Sequence, residues 1–104
     1  MENLALNMNF KEVVFLESVG EFTRKHCTRG RDFLVKNDLS HLEENLPHEK
    51  FFKINDSYII NADYLKRIKM SDRKNAVLHG GVELDIAKEK YSPFIRFLKF
   101  KYRI

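Results

Sequence analysis

The stretch FFKINDSYIIN, at residues 51–61, carries the strongest structural signal in this chain of 104 residues. Aromatic and β-branched side chains occupy both of its ends, and such residues favour β-strands. The polar triplet Asn55-Asp56-Ser57 interrupts them, and these residue types favour turns because their side chains hydrogen-bond nearby backbone groups. The pattern predicts a strand that is kinked at residues 55–57, where polar side chains bulge outward as a rigid loop.

Three short strands are predicted before this stretch, at residues 13–19, 22–28 and 31–36, with turns at Gly20 and Gly30. A short helix is predicted between them and the central stretch. Asn37–Asp38 offers an N-cap for it, and Pro47 ends it. Its apolar residues recur at helical spacing: Leu39, Leu42 and Leu46.

The chain after residue 61 alternates between strands and polar turns. A strand is predicted at residues 65–70, a polar loop at 71–75, and a hairpin at 76–87 around Gly80–Gly81. A basic C-terminal helix begins after residue 88, because apolar residues again recur at helical spacing. Those residues are Tyr91, Phe94, Ile95 and Leu98. The fold class is therefore mainly β, with one short mid-chain helix and a C-terminal helix.

The length predicts one domain, which we place at residues 13–104 behind an N-terminal tail or linker at residues 1–12. Nineteen Lys and Arg against fifteen Asp and Glu give a net charge of +4. The basic residues fall into three groups, at residues 24–31, 66–74 and 88–103. Such sorting indicates either a basic face for a polyanion or an ordinary solvated surface.

Membrane and secretory classes are disfavoured by the sequence. The longest apolar runs fall far short of the ~18 residues of a membrane span, and no signal peptide pattern is present. Cys27 is the single cysteine, which rules out an internal disulfide and favours a reducing, cytoplasmic setting. We therefore expect an intracellular protein with no membrane partner.

No residue pattern argues for catalysis, and we predict no enzyme activity, no cofactor and no metal site. The turn at Gly80–Gly81 lies between strands and is not a phosphate-binding loop. His26 and Cys27 are adjacent on a predicted strand, so their side chains point to opposite faces. We therefore do not expect the two side chains to share a metal ion, and Cys27 is better explained as a packed core residue.

The central stretch resembles the signature of LytTR DNA-binding domains. An aromatic pair is followed by a basic residue, an aliphatic residue, two polar residues, serine, an aromatic residue, two aliphatic residues and asparagine. The motif FLES at residues 15–18 is similar to the first strand of that family, and the short helix precedes the aromatic pair in the expected order. Residues 64–68 are similar to its next strand, so that the resemblance covers about residues 13–98.

This resemblance implies an elongated antiparallel β fold that places loops in successive major grooves of double-stranded DNA, often at direct-repeat sites. It implies a role in bacterial transcription regulation, together with a signal-receiving partner or an N-terminal domain missing from the chain. The implied base-contacting residues are Thr23, Asn55, Asp56 and Lys88. The phosphate-contacting candidates are Arg24, Lys25, Arg29, Ser57, Lys66, Arg67 and Lys90.

The chain departs from the family pattern at two of these places. Relatives commonly have His followed by Arg, Lys or Asn where this chain has Asn55 and Asp56, and Ser-Arg where it has Ala87–Lys88. Asp56 repels phosphate, and Lys88 lacks the planar fork with which arginine reads guanine. The alternative is a degenerate module that kept the fold and binds protein. A third reading, RNA binding, would require exposed aromatic residues as stacking platforms.

Overall fold

Two antiparallel sheets make up most of the protein in the computed structural model, which describes residues 10–103. The first sheet has five strands in the order β3-β2-β1-β5-β4. They are β1 (Val13–Val19), β2 (Phe22–Cys27), β3 (Asp32–Val35), β4 (Phe51–Asn55) and β5 (Tyr58–Asn61). The second has three strands in the order β6-β7-β8: Leu65–Met70, Lys74–Leu78 and Glu83–Asp85. The mainly β, antiparallel fold class is confirmed.

Two α-helices lie in the middle and at the C-terminal end of the chain, as the apolar spacing predicted, but the first ends at Glu43, before the predicted end at Pro47. Helix α1 spans Leu39–Glu43 and α2 spans Tyr91–Tyr102. Asp38 caps α1, because its carboxylate accepts a hydrogen bond of 2.8 Å from the backbone N–H of His41. Short 3₁₀ turns flank the strands, at Phe10–Glu12, Thr28–Gly30, Ala62–Tyr64 and Lys88–Lys90. The molecule measures 43 × 26 × 26 Å and is elongated, as expected.

The prediction of one kinked strand at residues 51–61 is wrong, because this stretch is a tight hairpin. Phe51 lies opposite Asn61, and Asn55 lies opposite Tyr58, in the antiparallel pairing of β4 with β5. The side-chain oxygen of Asn55 accepts hydrogen bonds from the backbone N–H groups of Ser57 (2.7 Å) and Tyr58 (2.9 Å). These bonds reverse the chain within two residues, whereas a kink would leave its direction unchanged.

Two apolar clusters occupy the faces of the five-stranded sheet. The larger lies between the two sheets and α2, and Ile54, Ile60, Leu78 and Phe94 are wholly buried in it. The smaller lies on the other face, beneath α1. Because β1 and β5 are covered on both faces, they are apolar without strict alternation, as the sequence of residues 13–16 and 59–60 shows.

The end of the predicted tail contacts the domain. Phe10 packs edge-on against Phe51, with 5.9 Å between ring centroids. Its carbonyl oxygen, like that of Val13, accepts a hydrogen bond from the side-chain amide of the buried Asn61. Residues 1–9 and Ile104 lie outside the described part of the chain, and the domain boundary at residue 13 stays a prediction. No helix within residues 10–103 is long and apolar enough to cross a membrane.

Candidate nucleic-acid interface

The turn between β4 and β5 is held rigid by the side chain of Asn55. Besides the two bonds that its oxygen accepts, the amide group donates a 2.6 Å hydrogen bond to the backbone oxygen of Asp85 at the end of β8. Three of its hydrogen-bonding positions are thus used inside the protein, which leaves one amide hydrogen for another partner. Asp56 and Ser57 lie exposed at the tip of the turn.

The segment that leads to Lys88 is fixed to the same end of the sheet. The backbone N–H of Ala87 donates to the oxygen of Ile54 at 2.9 Å, and that of Ile86 donates to the oxygen of Lys74 at 2.8 Å. These bonds fasten β8 and its extension to β4 on one side and to β7 on the other. Lys88 follows directly, exposed, as the first residue of a 3₁₀ turn.

Lys88 shares a shallow groove with other charged residues, which we call the Lys88 groove. Its walls are the loop between β6 and β7, the end of β8 and the start of α2. The groove is lined by Asp72, Arg73, Lys74, Asp85, Lys88 and Tyr91. The ammonium group of Lys74 lies 4.9 Å from the centroid of the Tyr91 ring, a cation–π contact that orients it. The groove thus holds three cations against two carboxylates.

The first predicted segment also reaches this end of the molecule, but its key side chain is buried. The backbone N–H of Ser18 donates to the oxygen of Ser57 at 2.8 Å, and Ser18 lies opposite Thr23 in the β1–β2 ladder. Thr23 has no exposed surface, and its hydroxyl donates a 2.7 Å hydrogen bond to the backbone oxygen of Asn37. The prediction that Thr23 contacts a base is therefore not supported by its burial, since the side chain does not reach the surface in this conformation.

The predicted phosphate-contacting residues are spread along the molecule. Lys66 and Arg67 are exposed on the edge strand β6, and Lys90 is half-buried in the turn after Lys88. Arg29 is exposed in the turn that follows β2, and Arg24 lies 3.9 Å from the Glu17 carboxylate. Ser57, the remaining candidate, lies at the tip of the central turn.

Lys25 is the exception among these cations, because it is only 9% exposed. Its ammonium group lies 5.4 Å from the centroid of the Phe33 ring, and burial lowers the pKa of Lys25. A lysine in this position has little exposed surface for a phosphate to contact. The prediction that Lys25 contacts DNA is therefore not supported by its burial.

Sequence reasoning missed Arg73 and Lys74 as members of the site. They were noted as basic residues of a polar loop, but their place beside Lys88 depends on the pairing of β7 with β8. The sequence does offer one signal. Glycines at positions 80 and 81 imply a hairpin, and a hairpin returns residue 85 to the level of residue 75, which is its observed partner.

Comparison with known proteins gives one family and one fold. The family model described as the LytTr DNA-binding domain matches residues 5–99. A solved structure of the LytTr DNA-binding domain from a Bacillus cereus protein, assigned as a methyl-accepting/DNA response regulator, matches with a TM-score of 0.78 and 22% identity. The match covers 88% of this chain and 84% of that chain, and it shows a shared fold. No curated protein sequence matches the chain.

Proposed function

The chain belongs to the LytTR family of DNA-binding domains, and from this premise we propose that it binds a specific double-stranded DNA site in bacterial transcription regulation. The Lys88 groove and the adjoining tip of the β4–β5 turn form the reading surface in this proposal. The observation that carries it is the direct hydrogen bonding between the turn and the Lys88 segment, through Asn55 and Ile54. Rigid attachment of two exposed polar segments favours a defined register on DNA.

Lys88 and Asp56 are the proposed base contacts. Lys88 offers a flexible point charge to guanine, whereas Asp56 can accept a hydrogen bond only from a donor such as the cytosine amino group. Asn55 is assigned a positioning role, since its side chain holds the turn. Thr23 is assigned a structural role, because its buried hydroxyl donates to the backbone oxygen of Asn37, and it is not among the proposed base contacts.

Phosphate contacts supply most of the affinity in this proposal. Arg73 and Lys74 join the predicted Ser57, Lys66, Arg67 and Lys90, because they line the same groove as Lys88. Arg24 and Arg29 lie farther from the Lys88 groove. Arg24 is opposite Glu17 in the β1–β2 ladder, and Arg29 lies in the turn after β2. They would contact phosphates only if the duplex ran along the length of the molecule.

The partner proposed for this domain is a signal-receiving domain or protein. The matched Bacillus cereus domain comes from a protein whose name includes a response regulator, and DNA-binding domains of that class act as outputs. We also propose that the DNA target contains a direct repeat, as the resemblance to the family implies.

Selection of bound duplexes from a random library, followed by fluorescence anisotropy on the most enriched duplex, tests the proposal. If about 5–8 phosphates are contacted, the logarithm of the affinity should fall with the logarithm of salt concentration at a slope between about −5 and −7. Absence of binding to every duplex at low salt would overturn it. The same selection with a single-stranded RNA library tests the alternative of RNA binding, which predicts tighter binding to RNA than to any duplex DNA.

A protein-binding function is the second candidate, and two exposed residues favour it. Asp56 places a negative charge at the tip of the turn, and α2 exposes 85% of Phe100 near its C-terminal end. Asp56→Asn separates the two functions. A change in duplex affinity or in base preference on this substitution supports DNA recognition by the tip. The protein-binding function is supported if neither the unchanged chain nor the Asp56→Asn variant binds duplex DNA, and if a protein partner captured by the chain is not released by added DNA.

A further inference from the structure

The outer edge of β3 is open within the described part of the chain, since β3 ends the five-stranded sheet. Its two central residues are apolar and exposed, Phe33 by 44% and Leu34 by 53%. An apolar edge strand with free backbone groups is a template for pairing with another chain, and proteins usually protect such edges. The edge of β3 therefore needs an occupant or a protecting device.

The hydrogen-bonding phase of β3 shows which backbone groups point outward. The N–H of Cys27 donates to the oxygen of Arg31 at 2.7 Å, which makes these two residues a hydrogen-bonded pair. Bonded and non-bonded pairs alternate along an antiparallel ladder. The N–H and C=O groups of β3 that point outward therefore belong to Asp32 and Leu34, and Lys36, the next residue in this alternation, follows directly after the end of the strand.

The sequence around Leu34 is complementary to itself in one antiparallel register. If Leu34 lies opposite Leu34 of a second copy, every outward-pointing residue meets another outward-pointing residue. Phe33 then lies opposite Val35 of the second copy, and Asp32 lies opposite Lys36 of the second copy, twice by symmetry. Apolar and opposite-charge cross-strand pairs both stabilise sheets.

Other registers lose these matches. A register centred on Phe33 places Asp32 opposite Leu34 of the second copy. One centred on Val35 places Asp32 opposite Asp38 of the second copy, which is a like-charge pair. Charges on an edge strand oppose pairing when they meet their own sign, but here each meets the opposite sign only in the register centred on Leu34.

We propose that two copies of this chain associate through β3, about a two-fold axis at Leu34, and join their five-stranded sheets into one. A two-fold contact uses the same patch on both copies, which fits a self-complementary strand. The Phe33 ring is already held by its own chain, since the cationic groups of Lys25 and Arg31 lie 5.4 and 5.5 Å from its centroid. The contact is small, so association is weak and needs high protein concentration.

Sedimentation equilibrium of the full chain without DNA tests the proposal, at concentrations up to about 1 mM because small interfaces are weak. Asp32→Lys and Lys36→Glu each create two like-charge pairs in a homodimer, and each variant should remain monomeric where the unchanged protein associates. An equimolar mixture of the two variants restores both opposite-charge pairs. The mixture should therefore associate about as strongly as the unchanged protein.

Two further variants protect the test from trivial outcomes. Asp32 also lies 3.4 Å from a ring nitrogen of His26, so folding of its variant is checked by thermal melting. Leu34→Lys breaks the centre of the contact without touching that pair and should abolish association. Arg96→Glu, an equal charge reversal on α2, should leave it unchanged. A monomer at every concentration, no restoration on mixing two folded variants, or an equal loss with Arg96→Glu would overturn the proposal.

Discussion

The polar side chains that hydrogen-bond one segment of the fold to another and the basic side chains of the Lys88 groove differ in how many protein partners they have. Thr23, Asn55 and Asn61 each direct hydrogen bonds to backbone groups of other segments. Lys88, by contrast, is exposed, and no ion pair holds it among residues 10–103. Both sets are polar and both belong to the stretches that resemble the family, yet one is committed to the fold and the other is available for a ligand.

A residue of the family signature can therefore support the fold of the reading surface without itself being placed to contact DNA. A buried polar group that loses its partner costs the full desolvation of the remaining group, whereas an exposed cation costs the fold almost nothing to remove. Substitutions in the first set should therefore change stability, and those in the second should change affinity. Variants in both sets test this division.

Asn61→Ala should give the largest loss of stability. The amide of Asn61 donates to the oxygens of Val13 (2.8 Å) and Phe10 (3.3 Å), and its oxygen accepts from the N–H of Asp63 (2.9 Å), all with the side chain fully buried. Removing it leaves buried groups unpaired, and the free energy of unfolding should fall by about 2–4 kcal/mol. Urea denaturation followed by circular dichroism measures this.

Asn45→Ala is the matched control, because Asn45 is exposed and its amide makes one long bond of 3.4 Å to the oxygen of His41. Its effect should stay within about 0.5 kcal/mol. Equal losses of stability in the two variants would contradict the view that the hydrogen bonds of Asn61 join β5 to the residues around the start of β1.

Lys88→Ala should weaken DNA binding and leave the fold intact. If Lys88 contacts a base at the selected site, affinity should fall by about 1–3 kcal/mol and the preference at one position should relax. The melting temperature should not change, since the side chain is exposed. Anisotropy on the selected duplex and on single-base variants measures both effects.

Lys99→Ala provides the control for charge alone, because Lys99 is exposed on α2 and lies outside the Lys88 groove. Its removal should reduce affinity for all duplexes slightly and equally. If Lys88→Ala behaves in the same way, with no change in preference at any base pair, Lys88 contacts only phosphate.

Much of the fold could be predicted from the sequence, because its signals are local. Alternation in Val82, Leu84 and Ile86 predicted a strand, which spans Glu83–Asp85, and the spacing from Tyr91 to Leu98 predicted α2. The hairpin at residues 51–61 was missed because turn-forming residues suit both a bulge and a reversal. Only the pairing of Phe51 with Asn61 distinguishes the two, and that pairing is a tertiary fact.

The site was harder to predict than the fold, because burial along β2 depends on what covers each face. Thr23 and Lys25 alternate with Arg24, and alternation alone assigns them to one face without saying which face is inside. The segment at Asn37 and helix α1 cover that face, which buries two polar residues that composition would place in solvent. Similarly, Arg73 and Lys74 come to Lys88 only through the pairing of β7 with β8.

Thr23→Val tests the corrected role of Thr23. Valine keeps the shape and loses the hydroxyl that donates to the oxygen of Asn37, so the free energy of unfolding should fall by about 1 kcal/mol. Affinity for the selected duplex should change less than about twofold, since less than 0.5 kcal/mol of contact is involved. A folded variant of unchanged stability that loses site preference would return Thr23 to the base-contacting residues.

The smallest effect is expected at Lys25, whose pKa burial lowers from its ordinary value of 10.5. The cost of burying the charged form is fully present below the lowered pKa, falls as pH rises toward 10.5, and disappears above it, where the group is neutral in both folded and unfolded states. Lys25→Met should therefore stabilise the protein at pH 7, by about 1 kcal/mol or less because the contact with Phe33 is lost. This advantage should shrink as pH rises toward 10.5.

Urea denaturation of both proteins between pH 7 and 10.5 measures that trend. Burial raises the pKa of the Cys27 thiol from its ordinary value of 9.0, which lies inside this pH interval, so the comparison is made in a Cys27→Ala background. Lys66→Met, at an exposed position of β6, is the control and should show no such trend. An advantage of Lys25→Met that stays constant or grows with pH would mean that the Lys25 ammonium keeps its hydration beside Phe33. Lys25 would then return to the cations available to phosphate, and the division between buried and available polar residues would no longer hold along β2.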